Sequence, residues 1–447
     1  MSFKYQPLCI QIPQITDNIL NYDPHVIYST TVDYPRLEYG FHHFIEQTRE
    51  KMEYIETVKR KLFLILTDME RYIDDYNESV GNIETKYFEL DKKPKLLSRA
   101  FYKIWELLMC FNLINPQQKK FVSAHLAEGP GSFIQATMFY RELYGKNSKT
   151  DKYYGITLDP ESDTKNVPAL ERNFTDYYMK EKPQRFYQHE TVPKAEADKN
   201  PNKDNGDLTD PKTIKLFQEQ IDEKADFVTA DGGFQWEGEE TIQEQKAYFL
   251  IIGQIISAFK VQKKGGNFIC KFFETYTKSS MKAISILSQC YEEVYFMKPI
   301  MSRIHNSEKY IVCLKFKYDE KDSYYKKIDK KLDDLLLGIR NKPNELFVID
   351  IFPEYQLEKS LTDAVAQISR EIANHQFKTI NEMAIFTKQR NYYGEMYQKA
   401  RDHQIDVTKF WIDMYLPKIS QYAKQKELCI QMKNYSNESQ QNKLIKY

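Results

Sequence analysis

Cysteine is scarce, and none of it forms a C-x-x-C pair. The six are Cys9, Cys110, Cys270, Cys290, Cys313 and Cys429, most of them in apolar surroundings. That argues against a disulfide framework and a zinc site, and predicts reduced core thiols in a reducing compartment. An excess of one charge is also missing: 64 Lys and Arg balance 64 Asp and Glu. Overall charge therefore gives no support to nucleic-acid binding, and any basic surface must be local. No apolar run reaches the ~18 residues needed to span a bilayer. The N-terminus shows no charged segment followed by an apolar one, so no secretory signal is expected. No internal repeat is visible.

What is present is a chain of 447 residues, 41% apolar and 29% charged, enough for a substantial core. Tyr and Phe are abundant, which we read as compositional bias. The organising stretch is Ala124-His125-Leu126-Ala127-Glu128-Gly129-Pro130-Gly131-Ser132-Phe133. An apolar run, Phe121 to Leu126, precedes it and reads as a buried strand. Phe133 to Tyr144 follows and reads as an amphipathic helix. A Gly-rich turn between strand and helix lets backbone approach a cofactor, although a lone G-x-G is more often a plain tight turn.

Residues 1–95 read as an extended arm, with β-formers at Cys9–Ile12 and Val26–Tyr28, and then a long amphipathic helix from Phe41 to Tyr76. That helix is expected to pack on the main domain; a coiled-coil partner helix is the sharper alternative. After a polar break at Lys92–Lys95, Ser98 could cap a helix running to Asn112, with Lys103 off its apolar stripe. Strand candidates follow at Phe121–Leu126, Tyr153–Leu158, Arg185–His189, Asp226–Ala230, Asn267–Phe272, Glu293–Met297 and Lys309–Phe316. Helices between them, notably Glu239–Gln262 and Lys278–Cys290, predict an α/β domain with a mostly parallel sheet over residues 96–318. Residues 319–447 read as a mostly helical extension with one more strand at Leu346–Phe352 and a polar, frayed tail from Lys433.

Four ionisable residues stand where an open α/β sheet binds ligands. Asp231 and Lys271 end strands, Glu308 begins the last one, and Lys103 lies on the helix before the Gly-rich turn. In order they spell Lys … G-x-G … Asp-Gly-Gly … Lys … Lys-Pro-x-x-Ser-Arg-x-x-x-Ser-Glu-x-Tyr. That order resembles the FtsJ-like (RrmJ) ribose 2′-O-methyltransferase family and its Lys-Asp-Lys-Glu tetrad. The spelling Glu-Gly-Pro-Gly-x-Phe-Ile, with the segment Ser98 to Glu106, is most similar to cap-specific mRNA 2′-O-methyltransferases of eukaryotes and large DNA viruses. The resemblance covers Leu96 to Phe316.

The resemblance implies a Rossmann-like, S-adenosylmethionine-dependent methyltransferase fold: a mostly parallel seven-stranded sheet with an antiparallel last strand, plus helical N- and C-terminal extensions. It implies a tetrad of Lys103, Asp231, Lys271 and Glu308 with Lys271 as base. A ribose hydroxyl is a poor nucleophile, so methyl transfer needs a nearby base, and a lysine serves only when its amine is neutral. A second cation, Lys103, favours the neutral amine; Asp231 and Glu308 oppose it and would orient the lysines. For S-adenosylmethionine the resemblance implies Glu128, Gly129, Pro130, Gly131, Ser132 and Phe133, with Asp231 near the sulfonium and Asp207 at the adenine, a turn residue being the alternative for Asp207; Asp159 follows the second strand, where Rossmann-like folds place an acid on the ribose. Ser132 replaces the family's usual Gly, and Ala127 stands where many members carry an acid.

For RNA, Lys260, Lys263, Lys264, Lys271, Lys278 and Lys282 form a run with one acid, Glu274, that could track phosphates; Lys278 and Arg303 are the named candidates. The expected substrate is the 5′ end of capped mRNA. Alternatives are ribosomal or other RNA, and an inactive RNA-binding or structural subunit of a capping or transcription complex. A Rossmann-type oxidoreductase lacks its G-x-G-x-x-G here. Other capping or transcription proteins are expected partners of the extensions, and no membrane is. The virus-like spelling predicts a cytoplasmic enzyme, in a viral factory or virion, with the nucleus as the alternative.

Overall fold

The computed structural model describes residues 3–31, 36–57, 85–162, 167–181, 184–233, 243–341, 343, 346–389 and 394–445. Strands β1 (Leu8–Gln11) and β2 (Ile27–Ser29) precede helix α1 (Arg36–Thr57). The α/β region runs α2 (Ala100–Cys110), β3 (Val122–Leu126), α3 (Ser132–Tyr144), β4 (Lys152–Ile156), α4 (Arg172–Glu181) and β5 (Phe186–Gln188). It continues α5 (Lys194–Ala197), α6 (Pro211–Gln220), β6 (Ala225–Ala230), α7 (Gln243–Val261) and β7 (Gln262–Phe272). It ends α8 (Lys278–Cys290), β8 (Tyr291–Lys298) and β9 (Lys309–Phe316). Beyond lie α9 (Ser323–Arg340), β10 (Phe347–Asp350), α10 (Lys359–Gln389), α11 (Glu395–Tyr415) and α12 (Tyr422–Ile445).

The main sheet has eight strands in the order β1-β8-β9-β7-β6-β3-β4-β5. Strands β3 to β7 pair in parallel, and β9 runs antiparallel between β7 and β8. The sheet is covered on both faces, so successive residues alternate between two cores. Phe227, Ile269 and Val312 face the layer of α2 and α3, while Val228, Phe268 and Cys313 face α7 and α8. All six cysteines are buried and unbridged.

The expectation of seven strands needs correction. The eighth, β1, comes from the N-terminal arm and pairs antiparallel with β8, Cys9 opposite Met297. The tail from Lys433 is also not frayed, because α12 continues to Ile445. Both differences have one cause. An edge strand leaves a row of unpaired backbone groups, and polar side chains of α12 fill that row. Ser436 Oγ accepts from Cys9 N–H at 3.1 Å and donates to the Pro7 carbonyl at 2.7 Å. Asn437 Oδ1 accepts from Gln11 N–H at 2.7 Å, and Gln441 Nε2 donates to the Gln11 carbonyl at 2.9 Å.

Helix α1 packs on α10 of the C-terminal region, with Phe44 stacked on Phe377 at 4.7 Å between ring centroids. The rest of the helix expected to reach Tyr76 lies outside the described residues. The strand expected at Leu346–Phe352 is β10, which pairs with β2. The charged run Lys321–Lys331 lies mostly within α9, whose Ile328, Leu332 and Leu335 are buried while its charges face outward. Helix α2 starts after Arg99 without a side-chain cap. Ser98 accepts from Ala100 N–H at 3.2 Å and also hydrogen-bonds the Ser132 hydroxyl at 2.7 Å, tying this turn to the Gly-rich one.

Candidate active site

Strand β3 stops abruptly because Ala127 adopts φ +50°, and the chain reverses through Gly131 at φ +116° into α3. Gly131 is required there, since a left-handed backbone disfavours any Cβ. Gly129 is required for a different reason: a Cβ on it would lie 1.7 Å from the Pro168 carbonyl oxygen. Glu128 is buried beneath the turn, and its Oε1 accepts from Ile134 N–H at 2.8 Å. One carboxylate oxygen thus caps α3 from inside. The other, Oε2, is buried with no hydrogen-bond partner among the described residues, and His125 Nδ1 lies 3.9 Å from it. Burial drives the Glu128 carboxyl well above the usual range, with nearby Asp231 adding to the effect against the Ile134 hydrogen bond.

Asp231 follows β6, and its N–H reaches the Leu126 carbonyl at 3.4 Å, next to the turn. Lys271, on adjacent β7, donates to the Asp231 carbonyl at 2.7 Å and lies 3.3 Å from Asp231 Oδ1. Tyr310, opposite Lys271 in the β7–β9 register, donates to the same Oδ1 at 3.2 Å. Its ring also lies 5.9 Å from that of Phe133, joining the turn to the cluster. Lys103 reaches in from α2 to Glu308 Oε1 at 2.7 Å and Oε2 at 2.9 Å. Antiparallel β9 is what brings Glu308, at the start of its strand, to the edge where β6 and β7 end.

Glu308 sits among cations. Burial works to raise its carboxyl, but Lys103, Lys271 and Lys298, with the Lys103 hydrogen bond, outweigh that and hold it at about 2. Ser302 Oγ adds a hydrogen bond to Oε1 at 2.8 Å. Lys298 is itself buried, which pushes its ammonium down to about 7 against the pull of Glu308. It donates to the Glu308 and Asn306 carbonyls at 2.9 and 3.0 Å, and so closes the 299–308 loop from within.

The structure thus brings Lys103, Asp231, Lys271 and Glu308 to one edge, beside Glu128 to Phe133. Asp159 and Asp207 form a neighbouring pair: Asp159 N–H donates to the Asn205 carbonyl at 2.8 Å, and Gly206 packs on the backbone of Thr157 and Leu158. Asp207 Oδ1 accepts from Thr209 N–H and Oγ at 2.9 and 2.7 Å, which also makes it a turn residue.

The lysine run is not one strip. Lys263 and Lys271 are eight residues apart on β7, about 26 Å at a strand's rise. Lys260 pairs with Asp329 at 2.6 Å and Lys263 with Asp226 at 3.2 Å, at the end of β7 away from Lys271. Lys278 pairs with Asp350 Oδ2 at 2.5 Å, and fully buried Lys282 with its Oδ1 at 2.6 Å. Arg303 differs: among the described residues no acid lies within ion-pair distance of it. Lys298, Ser302 and Tyr310 were in plain view within the Lys-Pro … Ser-Glu-x-Tyr block, but their contacts to Glu308 and Asp231 carry no sequence signal.

The arrangement offers a glycine turn at a helix N-terminus, a buried carboxylate oxygen without a hydrogen bond, and two amines held by two carboxylates. Among the described residues no helix is long and apolar enough to cross a membrane.

Comparison with known proteins agrees. Residues 96–316 match the family described as FtsJ-like methyltransferase. The cap-specific mRNA (nucleoside-2′-O-)-methyltransferase 1 of Caenorhabditis elegans is 27% identical over 67% of this chain and 30% of its own length. The human protein of that name is 27% identical over 59% of this chain and 30% of its own. A Caenorhabditis briggsae relative named as inactive is 25% identical over 67% and 33%. The chain therefore spans about a third of the length of these relatives. They are animal proteins, and the viral reading gains no support from them. Residues 96–316 of this chain therefore form an FtsJ-like methyltransferase region.

Proposed function

We propose that the protein is an S-adenosylmethionine-dependent ribose 2′-O-methyltransferase acting on the first transcribed nucleotide of capped mRNA. The observation that carries this reading is the meeting of Lys103, Asp231, Lys271 and Glu308 beside the Gly-rich turn, from four separate stretches of chain. The names of the animal relatives supply the substrate class.

Glu128 to Phe133, Asp231, and the Asp159–Asp207 pair would hold the cofactor. The Glu128 oxygen without a hydrogen bond, the left-handed Gly131 and the α3 N-terminus fit a group carrying both an ammonium and a carboxylate. S-adenosylmethionine, when bound, supplies a sulfonium methyl. The chain does the rest. Lys271 Nζ takes the proton from the ribose 2′-hydroxyl. The Asp231 carbonyl and carboxylate hold that amine in place, and Tyr310 orients the carboxylate. Glu308 and Lys103 fix each other at the rim. Arg303, with no acidic partner among the described residues, is placed to fork onto an RNA phosphate.

An inactive reading has two observations behind it, the relative named as inactive and Ser132 at the family's usual Gly. The test is methyl transfer from labelled S-adenosylmethionine to short RNAs bearing a methylated cap, an unmethylated cap or none, with the methyl then located. Label on the first ribose of capped RNA alone is the expected result. Transfer to uncapped RNA would move the substrate to another RNA class. RNA binding without transfer would leave the inactive reading standing.

A further inference from the structure

The loop 299–308 contains no helix or strand, yet it carries Ser302, Arg303 and Glu308. Something else must fix its backbone. From within, Lys298 ties its far end. From outside, the agent is Glu106, one helical turn after Lys103 on α2. Its carboxylate is fully buried. Oε2 accepts from Ile300 N–H at 2.8 Å, and Oε1 from Met301 N–H at 2.7 Å. Oε1 also accepts from Trp411 Nε1 at 2.9 Å, and Trp411 belongs to α11 of the C-terminal region.

Three more contacts run between the same partners. Arg99 Nη2 donates to the Met301 carbonyl at 2.6 Å. Trp105 Nε1 donates to the Tyr415 carbonyl at 2.8 Å, docking α11 against α2. Gln376 Nε2 of α10 donates to the His305 carbonyl at 3.1 Å. A buried carboxylate is tolerated only when its lone pairs are filled. Here N–H donors fill them, and two belong to consecutive residues of the loop. An apolar side chain at position 106 could fill the volume but could not hold those two amides.

We propose that the C-terminal helices set the position of the substrate loop through Glu106, which acts as a positioning residue. Trp411 fixes the carboxylate, the carboxylate fixes Ile300 and Met301, and the loop then presents Arg303 and Glu308 to the RNA. The inference rests on the reading that this site methylates RNA. It makes the C-terminal region part of the RNA-handling machinery, while cofactor binding at the Gly-rich turn is independent of it.

The test compares wild type with Trp411→Phe, which keeps the ring and loses the N–H, and with Glu106→Gln. Methyl transfer to capped RNA, S-adenosylmethionine affinity by calorimetry, and amide hydrogen exchange at Ile300 and Met301 are measured. In Trp411→Phe, kcat/KM for RNA should fall about tenfold, the size of one hydrogen bond to a charged group. Cofactor affinity should stay within about twofold, and exchange at the two amides should rise. Glu106→Gln should show the same split, larger. Unchanged exchange and unchanged kcat/KM in Trp411→Phe overturn the proposal. So does a loss of cofactor affinity equal to the loss for RNA, which would mark a general loosening. If wild-type protein transfers nothing, the methylation reading fails; the exchange measurement then decides the positioning role alone, faster exchange supporting it and unchanged exchange ending it.

Discussion

Glu106 and Glu308 grip the same short loop at its two ends, and both are buried, yet their surroundings are opposite. Glu308 is ringed by Lys103, Lys271 and Lys298 and is held at about 2. Glu106 is hydrogen-bonded by neutral donors, and burial pushes its carboxyl up to about 7 against the hydrogen bonds of Trp411, Met301 and Ile300 and the charge of Arg99. Geometry alone would call each a satisfied carboxylate. The electrostatics separate them: Glu308 is charged throughout the working range, while Glu106 is poised near neutrality. The difference is that of a cluster built to hold cations and a joint built to hold backbone.

The largest expected effect tests whether the cation cluster is more than a joint. Lys271→Ala should cut methyl transfer by about 10²–10⁴-fold, the range for loss of a general base. Cofactor affinity by calorimetry should hardly change. Near-normal turnover would reduce the Glu308 side of the molecule to a structural ion cluster.

Next comes Lys103→Met, which removes a cation touching both oxygens of Glu308. Breaking a buried pair costs about 3–5 kcal/mol because the remaining charge is left uncompensated. In wild type the depressed Glu308 value gives stability that is present above the ordinary carboxyl value of 4.5 and lost as pH falls towards about 2. With Lys103 gone the carboxyl rises and can escape by taking a proton. Denaturant unfolding should therefore show a larger penalty at pH 7 than at pH 4; an equal penalty at both would mean the pair contributes packing rather than charge.

The sequence already held the α/β core, because its strands are apolar runs of ordinary length between amphipathic helices. It also placed Lys103, Asp231, Lys271 and Glu308 towards one sheet edge, since each ends or begins a strand or lies off a helix stripe. It could not hold β1, four residues long and paired with a strand some 280 positions away. Nor could it show that the polar stretch around Ser436, Asn437 and Gln441 faces backbone instead of water. Glu106 was unreadable for the same reason: it has meaning only once Ile300, Met301 and Trp411 are beside it. Local pattern encodes burial and period, whereas a hydrogen bond between residues 194 to 430 positions apart leaves no local trace.

Glu106 gives the third prediction, with the sign reversed from Glu308. Its folded value, about 7, lies above the ordinary 4.5. Between those values the folded protein binds more protons than the unfolded one, so stability falls as pH rises through that window and levels off above it. The window is worth about 3 kcal/mol at 1.36 kcal/mol per unit. Glu106→Gln cannot titrate. The stability of wild type relative to this variant should drop by that amount from pH 4.5 to pH 8, and a flat difference would place Glu106 with Glu308 as a fully ionised group.

The smallest effect concerns the loop that the two carboxylates hold. Arg303 projects from its middle without an acidic partner among the described residues, whereas the Lys278 ammonium is already paired with Asp350 at 2.5 Å. A cation that neutralises a phosphate adds about one unit to the salt dependence of RNA binding. Arg303→Ala should therefore weaken binding to capped RNA several-fold and flatten the plot of log affinity against log salt by about 0.7–0.9. Lys278→Ala should leave that slope unchanged, since Asp350 competes for its charge. Because the slope counts phosphate contacts, it separates lost charge from a loop that has merely moved: displacement through Trp411→Phe should lower kcat/KM while Arg303 still contributes its unit. If Lys278→Ala flattened the slope and Arg303→Ala did not, the RNA would run along α8 and away from the loop, and the two carboxylates would be holding something other than a substrate contact.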